Sequence, residues 1–184
     1  VYWHRVQPAR GQWDFRSFDQ TAAIFAEQGI ELQAILCYCA PWAARDPGAK
    51  RPEKAEPEPE AWKTFCREMA KRYRGRVRFW EVWNEPHLRN YSCYWHDTPE
   101  NYVMLLKSAY QTIKKLQPES KVWIGGMALR YLPFYEAIMK LGAGPYFDYF
   151  AMHGHGQSIA PFHALDRKYG SEPHPWVSSE WHAS

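Results

Sequence analysis

Two glutamates are the residues of this sequence best placed to do chemistry. Glu85 stands in the run Arg78-Phe79-Trp80-Glu81-Val82-Trp83-Asn84-Glu85-Pro86, and Glu180 closes Trp176-Val177-Ser178-Ser179-Glu180. Each follows a strand-like run and is wedged among tryptophans. Alone, either reads as a solvated surface acid. Together, at the ends of two different strands, they offer one carboxyl that stays protonated to help a leaving group and one that stays ionised to attack, provided their environments separate their acidities. Cleaving a glycosidic bond with retention needs such a pair about 5–5.5 Å apart. Asn84 adds a donor and an acceptor suited to a sugar hydroxyl. Tyr38, His153 and His155 also fall at or just after strand ends, where they could bind hydroxyls. Glu81, inside the strand, is expected to be a paired carboxylate pointing into the fold. Two other readings stay open. His153-Gly154-His155 with Glu180 and His182 could ligate a metal in a metal-dependent hydrolase, or the chain could bind sugar without turning it over.

Composition narrows the classes. The chain has 184 residues, 46% hydrophobic and 23% charged, which is the balance of a globular protein able to bury a core. A net charge of +3, scattered along the chain, is too mild and diffuse to argue for nucleic acid. No apolar run approaches the roughly 20 residues that cross a bilayer. Aromatic residues reach 17%, with ten tryptophans, enough for both a large core and flat faces on which sugar rings stack. Cys37, Cys39, Cys66 and Cys93 form no paired CxxC, so buried free thiols are expected rather than zinc ligands. Asn90-Tyr91-Ser92 fits a glycosylation triplet. The chain starts at Val1 without a signal-peptide pattern, and its compartment stays undecided.

These residues need a frame, and the chain supplies alternating strands and helices. Strands are expected near Ile30–Cys39, Val77–Trp83, Lys121–Gly125, Phe147–Met152 and Trp176–Glu180. Helices are expected over Asp14–Gln28, Glu60–Tyr73, Thr98 to about Leu116, Leu132–Leu141 and, more weakly, Ala160–Lys168. Caps, first-turn prolines and closing glycines mark their ends. Repeated strand–helix units imply parallel strands with right-handed crossovers. No glycine-rich phosphate loop follows a strand, and Gly125-Gly126 is too short a pair to use. The polar residues gather at carboxyl ends of strands, the face where (β/α)₈ barrels do chemistry. The expected fold is therefore an incomplete (β/α)₈ barrel, residues 1–184 forming one partial catalytic domain. The Pro- and Glu-rich stretch Arg51–Glu60 is read as a loop on the active face rather than a linker.

Ala61 to Pro86, AWKTFCREMAKRYRGRVRFWEVWNEP, resembles the fourth β/α unit of clan A glycoside hydrolases, with the flavour of families 39 and 5. The resemblance implies Glu85 as acid/base and Glu180 as nucleophile, with no cofactor or metal. Trp3 to Phe15 is similar to the clan's segment after strand two, Tyr38 to Ala44 to the end of strand three, and Phe147 to Gly156 to strand six. On this likeness Trp42 floors a sugar subsite, and Trp181 and Trp3 stack on rings. The clan's strand-two arginine would fall before Val1, and His155 stands where a tyrosine is usual. Strands one and eight and most of strand two are expected to be missing. The likeness implies a carbohydrate substrate and names neither the sugar nor the linkage.

Overall fold

The computed structural model describes residues 1–46, 48–88, 95, 98–128, 132–154 and 158–180. Five parallel strands form one sheet: β1 (Leu32–Leu36), β2 (Val77–Asn84), β3 (Lys121–Ala128), β4 (Phe150–His153) and β5 (Trp176–Glu180). Their spatial order is their sequence order. A helix links each pair: α3 (Pro59–Arg72), α4 (Pro99–Leu116), α5 (Leu132–Lys140) and α6 (Ala160–Lys168), after α1 (Trp3–Val6) and α2 (Arg16–Glu27). A doubly wound sheet would reverse its strand order; this one never does.

The sheet also curls. Glu81 on β2 reaches Ser179 on β5 at 3.4 Å. In a flat sheet those strands would stand roughly 14 Å apart, three spacings of about 4.8 Å. The fold is thus the arc of a (β/α)₈ barrel, as the alternation of elements implied. Val1 and Tyr2 extend the β1 edge: Cys37 N–H donates to Val1 O at 3.1 Å and Trp3 N–H to Cys37 O at 2.9 Å, in a parallel bridge. They pair where the tail of a preceding strand would.

The helices follow their sequence signals. Thr98 Oγ1 accepts Asn101 N–H at 3.3 Å, and Pro99 opens α4. Pro59 and Glu60 open α3, which ends before Gly75 at φ 74°. Trp62, Phe65, Cys66, Met69 and Ala70 form its buried stripe at helical spacing. Trp62 lies 6.1 Å from Trp83, and Trp83 lies 5.0 Å from Trp95. Truncating one such buried tryptophan would cost about 3–5 kcal/mol.

Boundaries moved where local bonds intervene. β1 stops at Leu36 rather than Cys39, because Cys39 N–H donates to Glu53 O, outside the sheet. Cys37, Cys39 and Cys66 are buried free thiols, as expected. β4 starts at Phe150 rather than Phe147: Tyr149 makes only an isolated parallel bridge to Trp123, and the Asp148 carboxylate accepts Val122 N–H at 2.7 Å and pairs with Lys114 at 2.8 Å. β3 runs on to Ala128, past the expected end at Gly125. The Arg51–Glu60 stretch is packed, with Lys54 and Glu56 buried.

Candidate active site

The site is built from the last residues of β2, β4 and β5. At the end of β2 the backbone leaves the ordinary strand conformation, with Trp83 at φ 70° and Glu85 at φ 45°. Positive φ on such side chains costs of order 1–3 kcal/mol each and needs rigid surroundings. The aromatic packing around Trp83 supplies that rigidity, and the twist turns Glu85 into the concave face. At the other end, β4 and β5 slip register. Met152 faces Ser178, but His153 faces Glu180, so Ser179 is an extra residue. Such a bulge re-aims side chains. Here Ser179 meets Glu81, and Glu180 meets His153.

His153 joins the two candidate carboxylates. Its Nδ1 lies 3.0 Å from Glu85 Oε1 and 3.4 Å from Glu180 Oε2. Those two oxygens therefore lie no farther apart than about 6.4 Å, the two distances laid end to end. Burial works to lower the His153 pKa, but the Glu85 bond and the charges of Glu180 and Glu81 outweigh it and raise it. His87, two residues beyond Glu85, goes the other way. Burial, reinforced by His153 and opposed by Glu85, takes it down to about 4 and keeps it neutral.

Asn84 Nδ2 donates to Tyr38 Oη at 3.2 Å. Lys54 Nζ sits 3.3 Å over the Tyr38 ring, which ties the Arg51–Glu60 loop to the strand ends. Asn84 Oδ1 and His153 Nε2 are buried and lack a hydrogen-bond partner among the described residues. A cavity of about 270 Å³ opens beside Tyr38, Asn84 and Glu180, with Gln33, Ile35 and Cys37 on its wall. A larger groove, about 530 Å³, lies between α3 and α4 and holds none of the strand-end residues.

Several expectations need correction. Trp3 cannot stack on a sugar ring: it is 0% exposed, pressed at 4.8 Å against Phe65, with its indole N–H on Gln7. Trp42 is half-buried rather than a free floor. Its indole N–H donates to Gln7 O at 2.9 Å, Arg10 lies 5.0 Å over its ring, and it does not line the cavity beside Glu180. His155, Trp181, His182 and the Asn90-Tyr91-Ser92 triplet lie outside the described residues. No cluster of metal-ligating side chains occurs among the described residues.

The sequence reading also passed over Gly125-Gly126. A Cβ on Gly126 would come within 2.1 Å of His153 Nε2 and 2.8 Å of Ser179 Oγ; on Gly125 it would meet Val82 O at 2.7 Å. The pair is small because the site's side chains lie against it. Its signal was position, at the strand end one place over from Asn84.

Solved structures share this arc. A glucosidase from Croceicoccus marinus superposes with a TM-score of 0.73 at 16% identity, over 99% of this chain and 41% of its own. A family 39 glycoside hydrolase from the gut symbiont Bacteroides cellulosilyticus gives 0.65 at 19% identity, over 97% of this chain and 49% of its own. A psychrophilic family 10 endo-β-1,4-xylanase gives 0.61 at 17% identity, over 90% and 59%. The chain thus spans 41–59% of the length of these structures, and at such identities the likeness is one of fold. No curated protein matches the sequence. The family model for glycosyl hydrolase family 10 matches residues 1–129, a stretch that contains Glu85 and ends before His153 and Glu180. The clan read from the strand-four segment holds, and within clan A the chain belongs to glycosyl hydrolase family 10.

Proposed function

We propose that the chain carries the two catalytic carboxyls of a retaining glycosidase that cleaves β-linked sugars by double displacement. The observation that carries this reading is His153 Nδ1 within 3.0 Å of Glu85 and 3.4 Å of Glu180, which holds the two carboxyls around one imidazole. Glu85, the less exposed at 16% against 39%, gives its proton to the glycosidic oxygen as the bond to the anomeric carbon breaks. Glu180 attacks that carbon and forms a glycosyl ester. The ionised Glu85 then takes a proton from water as the water displaces Glu180, and the sugar leaves with its original anomeric configuration.

His153 orients both acids and, when protonated, offers Nδ1–H between them. Asn84, held through Nδ2 by Tyr38, presents Oδ1 to a sugar hydroxyl, which would satisfy that buried atom. His155 and Trp181 are proposed as further hydroxyl-binding and ring-stacking partners, and no metal or cofactor enters the scheme.

The test is kinetic. Glu180→Gln should lower kcat on an aryl β-glycoside by about 10⁴-fold or more. Glu85→Gln should lose far less on substrates with good leaving groups and should regain rate with azide. Equal loss on every leaving group would remove Glu85 from its role. A first-formed product of inverted configuration would overturn double displacement. Binding of oligosaccharide by the unaltered chain with no turnover would instead mark a carbohydrate-binding protein.

A further inference from the structure

The concave face holds a third carboxyl that the two-glutamate scheme leaves without a task. Glu81 is 0% exposed. Its Oε1 accepts Gly126 N–H at 2.7 Å and the Ser179 hydroxyl at 3.4 Å, and its Oε2 accepts the Gln33 side-chain amide. These donors stand on β3, β5 and β1, so one carboxyl on β2 holds three other strands. Two of them adjoin the proposed catalytic groups. Gly126 is the floor on which His153 lies, and Ser179 is the bulge residue that precedes Glu180. A carboxyl at this depth is costly to bury unless its bonds are made, and core filling alone would be served by an apolar side chain.

We infer, on the footing of the proposed function, that Glu81 is a positioning residue for the Glu85–His153–Glu180 group: by holding Ser179 it pins the β5 bulge that aims Glu180 at His153. Glu85 follows the end of β2, four residues on from Glu81, so the strand that leads to the acid also fixes the strand of the nucleophile.

The groups facing Glu81 are His153 on β4, Glu180 on β5, the Cys37 thiol beside β1, and the Tyr102 phenol on α4. Burial is the strongest influence on the carboxyl and pushes it up to about 7, against the pull of Gly126, His153 and Ser179 toward the ionised form. Its charge therefore changes near neutrality beside His153, whose pKa it helps to raise.

Two variants and two readouts separate positioning from mere structure. Glu81→Gln removes the charge and one acceptor, whereas Ser179→Ala removes only the tie to β5. On an aryl β-glycoside, Glu81→Gln should lower kcat at least about tenfold with KM within about threefold, the pattern of a misplaced reacting group. Ser179→Ala should lower kcat severalfold. By NMR, the titration midpoint of His153 should fall in Glu81→Gln and stay in Ser179→Ala, because only the first loses the anion. Unaltered kcat and an unaltered His153 midpoint in both variants would overturn the proposal. If Glu81→Gln does not fold, kcat of Ser179→Ala decides. If the unaltered chain turns over no glycoside, the functional reading fails by itself, and the His153 midpoint still decides whether Glu81 acts on the group.

Discussion

Two polar clusters sit at opposite ends of the strands, and they are finished differently. At the amino ends, Asp166 on α6 accepts Tyr135 O–H at 2.5 Å and His174 N–H at 3.0 Å, with His174 Nδ1 also at 3.0 Å. His174 Nε2 meets Gly144 O at 3.1 Å, and His163 Nε2 meets His174 O at 3.0 Å. No side-chain atom of this cluster is buried without a partner. Burial tends to raise the Asp166 carboxyl, but the bonds from His174 and Tyr135 outweigh it and hold it below its usual range. At the carboxyl ends, Glu85 follows Trp83 on strained backbone beside His153, Asn84 and Glu180, and Asn84 Oδ1 and His153 Nε2 have no hydrogen-bond partner among the described residues. A network that closes all its bonds is built to hold the fold. One whose atoms lack partners among the described residues, at the barrel end where such folds carry their active sites, is where the proposed function places its substrate.

The contrast can be broken by experiment. The largest effect is expected at the closed cluster. Asp166→Ala leaves His174 and Tyr135 without their acceptor and should cost about 3–5 kcal/mol in urea unfolding, with kcat of the folded fraction unchanged. A matching loss of kcat would join the two clusters and dissolve the comparison.

Next comes pH. The Glu81 carboxyl rises from 4.5 to about 7 on folding, so the folded chain holds a proton that the unfolded chain loses in that window. Its contribution to stability is complete below about 4.5 and is lost as pH rises through about 7, of order 3 kcal/mol in all. Urea unfolding at pH 5 and pH 8 should therefore show the unaltered chain losing ground against Glu81→Gln by that order. A constant gap between the two would mean Glu81 is ionised throughout.

Gly126→Ala sharpens the comparison at the open cluster. Its Cβ must displace His153 or Ser179. A shift of about 1 Å in the reacting groups should lower kcat about a hundredfold, with an overpacking cost of about 1–3 kcal/mol. Undiminished kcat would show that the contact of His153 with Glu85 and Glu180 is dispensable.

The amino-acid sequence determined the alternation of elements. Helix periodicity, the Thr98 cap, Pro59 and Pro99, and the closing glycines fixed local structure through interactions a few residues apart, and β5 and α6 have the ends that were expected. It also placed Glu85 and Glu180 at strand ends, since Pro86 and the strand-like run Trp176–Glu180 act locally. Tertiary structure decided what each group touches. Whether a tryptophan meets sugar or core was not legible: Trp3 and Trp42 share a composition signal with any stacking residue, and only packing of α1 on α3 buried the first. The task of Gly125-Gly126, the bulge at Ser179 and the reach of Glu81 across the sheet all depend on curvature, which brings β2 and β5 together. Residues 98 positions apart meet there, and no periodicity along the chain encodes that distance.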